Sequence, residues 1–289
     1  MNAKNVRLRP LRAAAYALLA VAVIGGGWVL WRSVPFDLPS YATWAGLVVA
    51  LVAIVSLLKP QRWLGIATRG RAAILLLVGV ALTTTAALWP SSLHRSAREK
   101  HRIDDFLPEY NFAEYHEART RAPIDRVIEA TRNVSVADMP TARLLMTIRR
   151  MAGGHLSVPP ADSKPWINDV RDQKTGFMVL EESERDSVFA LPLGTKASGL
   201  PHPVRCSPAE FAGFTGPGKV RVVFDVRVAQ EDDGLVRVTT ETRILADDPE
   251  TRRAFACYWR FIYPGSAIIR RVWLDAMIAR AERATPSET

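Results

Sequence analysis

A chain of 289 residues is too long for one small domain and long enough for two folded units. Its net charge of +9 would suit a nucleic-acid binder, but much of the basic excess flanks apolar runs, where it sets topology and meets anionic head groups, so no nucleic-acid partner is expected. Two cysteines with no CxxC pair, and five histidines with no HExxH spacing, give no basis for a zinc or thioredoxin-type centre, and no metal or cofactor is expected.

The apolar weight lies before about residue 93 and forms three uncharged runs. They are AAAYALLAVAVIGGGWVLW (13–31), YATWAGLVVALVAIVSLL (41–58) and AAILLLVGVALTTTAALWP (72–90). Each is about as long as a helix needs to cross the hydrocarbon core. None shows the polar stripe of a soluble helix. Trp28, Trp31, Trp44, Trp63 and Trp89 sit near the run ends, as an interfacial belt requires. Three transmembrane helices over residues 1–93 are therefore expected. The first run follows Lys4, Arg7, Arg9 and Arg12 and so also fits a signal peptide. Its length, and the lack of a clear small-residue cleavage site, favour an uncleaved anchor. Gly25-Gly26-Gly27 and Thr83-Thr84-Thr85 suit close helix packing, or equally face lipid.

Positive charge marks the inner side of a membrane. The N-terminal tail carries four basic residues, and the loop between the second and third runs carries Lys59, Arg62, Arg69 and Arg71. The loop between the first and second has only Arg32, set against Asp37. An integral inner- or plasma-membrane protein with a cytoplasmic N-terminus and an outer C-terminal domain is the expectation. The basic cluster HRSAREKHR, after the third run, argues the other way.

Residues 94–109 read as a charged linker, and a domain follows over 110–284, with a short tail at 285–289. EYHEARTRA reads as a strand and PIDRVIEATRN as a helix opened by Pro123. VADMPTARLLMTIRRMA reads as a second helix, with Leu144, Leu145, Ile148 and Met151 as its inward face. VPPADSKPWIND is loop by its prolines. GFMVLEES and RDSVFALPL form a short-turn strand pair, and GTKASGLPHPVRCSPAEF an irregular connection. The hairpin KVRVVFDVRVA and LVRVTTETRILA is the clearest element. Val220, Val222, Phe224, Val226 and Val228 share a face with Val236, Val238, Thr240, Thr242 and Ile244. The opposite face carries Arg221, Asp225, Arg227, Arg237, Glu241 and Arg243; Glu241 and Arg243 are neighbours there, expected as surface cross-strand pairing, with a polar site as the alternative. Asp248 caps the next helix, with Pro249 first in it. Phe255, Tyr258, Trp259 and Ile262 are its apolar side, and Pro264-Gly265 ends it. A last helix carries the stripe Ile268, Ile269, Val272, Trp273, Ala276 and Met277, which must cover the apolar sheet face.

Strand, two helices, antiparallel strands and a long amphipathic helix make an α+β domain. Its opening EARTRAPIDRVIEA and its closing TTETRILADDPETRRAFACYWRFIYPGSAIIRRVWLDAMIARAER resemble the helix-grip fold of the START and polyketide cyclase (SRPBCC) superfamily, in a bacterial branch. The resemblance implies a curved antiparallel sheet around a long C-terminal helix, with a space between them that takes lipids or other apolar molecules. It carries over no catalytic residue.

Three functions follow. The first is a non-catalytic module binding a lipid or apolar small molecule beside the bilayer, with Phe224, Val226, Val238, Thr240, Trp273 and Met277 as cavity candidates. The stripe would equally fill a solid core. The second is a structural subunit that assembles with another membrane protein. The third is a cyclase- or hydratase-like enzyme. Its best local cluster is His116 with Glu114 on one strand face and Glu117 on the other, and there a surface histidine is expected. With the domain outside, a Cys206–Cys257 disulfide is permitted but not required. Cys257 is expected as a buried free thiol.

Overall fold

The computed structural model describes residues 37–96, 100–151, 164–171, 176–195 and 201–283. The chain divides into two compact units, Met1–Trp89 and Pro90–Thr289.

In the first unit, two helices are long and apolar enough to cross a membrane: α1 (Leu38–Leu58) and α2 (Arg69–Ala87). Their mean hydropathies are 2.2 and 1.6. The run at 13–31 lies outside the described residues, so the structure carries two of the three expected spans. Asp37 caps α1 by accepting the Ser40 N–H at 2.9 Å, and Thr68 caps α2 by accepting the Arg71 N–H at 3.3 Å. The helices pack through small residues. A Cβ on Gly79 would stand 2.6 Å from the Ala50 nitrogen, and one on Gly46 would stand 2.7 Å from the Thr83 nitrogen. Only glycine allows this approach. Thr83 donates its hydroxyl to the Gly79 carbonyl of its own helix at 2.8 Å, with the Thr43 carbonyl of α1 at 3.5 Å.

The second unit is α+β. Its strands are β1 (His94–Arg95), β2 (Glu109–Tyr110), β3 (Phe112–Thr120), β4 (Met178–Glu182), β5 (Asp186–Thr195), β6 (Pro201–Pro203), β7 (Lys219–Gln230) and β8 (Val236–Ala246). Its helices are α3 (Arg102–Phe106), α4 (Ile124–Asn133), α5 (Pro140–Met151), α6 (Trp166–Arg171), α7 (Pro208–Phe211) and α8 (Pro249–Arg283). The sheet is antiparallel in the order β3-β8-β7-β5-β4, with β6 on β5. The expected hairpin register holds: Val222 faces Ile244, Phe224 faces Thr242 and Val228 faces Val238.

The long helix covers the inner face, packing on β3 and β8 and against α4 and α5. Asp248 caps it, accepting the Thr251 N–H at 2.9 Å. Pro264-Gly265 does not end it. One helix of 35 residues runs through both. The proline removes one backbone hydrogen bond, but the apolar stripes on either side bury against the same sheet, and tertiary packing outweighs the local break.

Three further expectations change. Leu144, Ile148 and Met151 on α5 are exposed, and Ala142 and Met146 face the core instead. Arg149, on the Ala142 side of the helix, bonds the Tyr258 hydroxyl and fixes the rotation. The segment read as a linker carries β1, α3 and β2. Ile103 and Leu107 bury against Met178, Val188 and Val223 on the sheet's outer face. Under that cover Arg243 is fully buried, with Glu241 at 2.8 Å, Asp104 at 2.6 Å and the Leu107 carbonyl at 3.0 Å. The Glu241–Arg243 pair is thus interior rather than a surface pair.

Candidate functional site

All six cavity candidates lie between α8 and the sheet. Alternation puts Phe224 and Val226 of β7 and Val238 and Thr240 of β8 on the inner face. Trp273 and Met277, one turn apart, point down from α8. Five of the six belong to one buried cluster, joined by Val127 and Ile128 of α4 and by Ile167 and Val170 of α6. Thr240 is buried beside them, and its hydroxyl has no hydrogen-bond partner.

Aromatic side chains dominate this interface. Phe189 of β5 stacks on Phe224 with ring centres 4.8 Å apart, and Phe177 meets Phe224 edge-on at 5.3 Å. Trp166, at the start of α6, stands edge-on to Trp273 at 5.0 Å. Both indole N–H groups are buried without a partner. A buried donor left unpaired costs about 1–3 kcal/mol, so an aromatic box with two such donors is not the cheapest filling for this space.

The box borders a small, partly open cavity of about 20 Å³, lined on one side by Trp166, Phe189, Val226 and Trp273 and on the other by Ser187 and the charged Glu182, Arg185 and Asp186. That volume holds a single water. The cavity shares Arg132, Ile167 and Glu184 with a groove of about 560 Å³ that runs between α4, α6 and the β4–β5 turn. Arg132 stands at the junction and donates to the carbonyls of Ser183 and Glu184, each at 3.2 Å. Of the six candidates, Val226 and Trp273 line the cavity; Phe224, Val238, Thr240 and Met277 line neither space.

A polar row crosses the same interface. In register, Glu114 of β3 faces Thr242, and Thr242 faces Phe224. His116 faces Thr240. Glu114 and His116 share the inner face, as the alternation requires, but His116 is only 4% exposed and is no surface histidine. Its Nε2 lies 2.7 Å from Glu114, whose second oxygen accepts the Ser266 hydroxyl of α8 at 2.8 Å. One turn beyond Ser266, the Arg270 guanidinium lies 4.1 Å over the Phe224 ring and 5.3 Å over Trp273. Burial pulls its pKa down, against the opposite pull of Glu114 and Asp225.

Asp225 sits where the β7–β8 ladder lapses. Register partners are formed at Phe224 and Arg227 but not between them, and the Asp225 carboxylate accepts the Glu241 N–H at 2.7 Å instead. Burial, helped by the charges of Asp186 and Glu241, raises its pKa to about 7.

Trp166, Phe189, Ser266 and Arg270 were not among the residues singled out in the sequence. Trp166 comes from a proline-rich stretch that reads as loop. The one local signal was Arg270-Arg271, a charged step inside an otherwise apolar stripe. Cys206 and Cys257 are free thiols of intermediate burial.

No protein-family model matches the chain, and no curated protein does. Among solved structures, a hypothetical protein, jhp0584 from Helicobacter pylori, is similar at 11% identity and a TM-score of 0.33, over 66% of this chain and 99% of that one. The Zhui aromatase/cyclase from Streptomyces sp. R1128 is similar at 14% identity and a TM-score of 0.25, over 61% of this chain and 96% of that one.

Proposed function

We propose that this chain is a membrane-anchored domain of the START and polyketide cyclase-like, helix-grip type, which binds a lipid or another apolar small molecule between its C-terminal helix and its sheet without turning it over. The observation that carries this reading is the aromatic box of Trp166, Phe189, Phe224 and Trp273, whose unpartnered indole N–H groups border a cavity adjoining the groove. At about 20 Å³ the cavity is closed to anything larger than water. A ligand enters from the groove when Trp166, on the six-residue α6, swings away from Trp273. Apolar rings then exchange contacts with one another for contacts with the ligand, and the cost of parting them is small.

Glu114 and His116 belong to the interior of this reading and not to a catalytic site. Neither residue lines the cavity or the groove, and the Glu114 carboxylate is spent on His116 and Ser266. Purification in mild detergent, followed by mass spectrometry of what co-purifies, tests the proposal. The expected result is a stoichiometric small molecule that is lost when Trp166 is replaced by Ala. A protein chain that co-purifies without any small molecule would favour the structural-subunit reading instead.

A further inference from the structure

Resting on the ligand-binding reading above, we infer that the ligand is an organic anion, with Arg270 as the receptor for its charged group and the aromatic box as the seat of its apolar body. Arg270 sits on the inward side of α8, one turn from Ser266 and three residues before Trp273, so its side chain reaches the middle of the helix–sheet interface. Among the described residues it makes no hydrogen bond or ion pair; its contacts are the faces of Phe224 and Trp273.

A guanidinium remains charged inside a protein, and an interior guanidinium that donates no hydrogen bond to a carboxylate is rare because its desolvation is poorly compensated. Two carboxylates are near enough to act on it, and both are engaged elsewhere. Glu114 is held by His116 and Ser266 at 2.7 and 2.8 Å. Asp225 accepts the Glu241 N–H and, with its pKa at about 7, is partly neutral. Neither carboxylate takes a hydrogen bond from Arg270, so among the described residues its N–H donors remain for a guest. The side chain keeps an intermediate exposure, although burial depresses its pKa. The Trp273 indole N–H and the Thr240 hydroxyl, both buried and unpartnered, are further donors in the same region. Unpartnered N–H and O–H donors beside an apolar box match a carboxylate on an apolar body better than they match a neutral hydrocarbon.

Calorimetric titration of the full chain in detergent tests this with two matched pairs, 2-naphthoate against 2-naphthamide and decanoate against decanamide. The arms separate an aromatic acid from a fatty acid. In the pair that fits, the acid is expected to bind about tenfold tighter than its amide. Arg270→Gln should erase that preference and leave amide affinity within about twofold. Equal binding of acid and amide by the wild-type chain, or an unchanged preference in Arg270→Gln, would overturn the inference while the ligand-binding reading stands. Failure of both pairs to bind at all would overturn the two together. If Arg270→Gln does not fold, the wild-type chain still decides. The acid, and not the amide, should shield Arg270 from phenylglyoxal in peptide mapping, and equal modification with either would reject the anion site.

Discussion

Asp225 shows how one buried carboxyl sets a pH dependence. Its side chain fills a lapse in the β7–β8 ladder, and burial raises its pKa from 3.8 to about 7. Between those values the folded chain holds a proton that the unfolded chain has released. Stability therefore falls as pH rises from about 4 to about 7 and levels off above, by roughly 4 kcal/mol over the window. Asp186, raised first by its own burial, adds a slope of the same sign. Asp225→Asn keeps an oxygen for the Glu241 N–H and removes the titration. Urea midpoints at pH 5 and pH 8 should then lie closer together than in the wild-type chain, and an unchanged gap would assign the slope elsewhere. Arg243 presents the opposite case, a buried charge fully paired. Burial works against its charge, and Glu241 and Asp104 more than offset that, so its pKa is raised. Arg243→Met leaves two acidic partners uncompensated and should cost roughly 3–5 kcal/mol, read as a lower thermal midpoint. A loss below about 1 kcal/mol would mean that α3 lifts away and lets water reach the pair.

At the scale of elements, α8 and α5 make a contrast that one pair of substitutions can measure. Trp273 is 5% exposed and touches Trp166 and Phe224. Trp273→Ala should destabilise the domain by roughly 3–5 kcal/mol. Ile148, 52% exposed on α5, should tolerate Ser within about 0.5 kcal/mol. Thermal midpoints followed by near-ultraviolet dichroism separate the two, and a large loss in Ile148→Ser would show that its face is covered. Much of this architecture was legible because its signals are local. The β7–β8 register follows from one apolar face with a period of two, and the α8 start follows from Asp248 and Pro249. The rest depended on distant partners. Pro264 reads as a helix end until one sheet is seen to bury the residues on both sides of it. Both faces of α5 are apolar enough to be inward, and the choice is made by Tyr258, 109 residues away. His116 reads as surface because the Ser266 that engages Glu114 is 152 residues from it. The candidate site divided in the same way. Phe224, Val226 and Trp273 could be placed from periodicity, whereas Trp166 gave no periodic signal and Arg270 had no visible partner.

For the whole molecule the open quantity is sidedness, and it turns on how many times the chain crosses. Helices α1 and α2 are long and apolar enough to cross, and two crossings would return the chain to the side on which it entered α1. A crossing by the run at 13–31 would then place the N-terminus and the C-terminal domain on opposite sides. The charges distinguish the two arrangements. The N-terminal tail carries four basic residues, and the α1–α2 loop with the first turn of α2 carries another four, Lys59, Arg62, Arg69 and Arg71, while the segment between 32 and 37 carries Arg32 and Asp37. With three crossings the two basic segments lie together in the cytoplasm, as the positive-inside rule prefers. With only α1 and α2 crossing, the α1–α2 loop stands opposite the basic tail, against that rule. The cluster Arg95, Arg98, Lys100 and Arg102 lies at the start of the unit Pro90–Thr289, and a folded unit of that length translocates with little regard to charge. Part of the cluster is also neutralised: Arg95 pairs with Glu109 at 2.7 Å and Lys100 with Asp105 at 2.8 Å. We therefore predict an outer location for the domain. The check is protease added to sealed spheroplasts, with detection through an antibody to the tail RATPSET. The epitope should disappear while the membrane is intact. An epitope that survives until detergent is added would place the domain in the cytoplasm and leave α1 and α2 as the only crossings consistent with a cytoplasmic N-terminus.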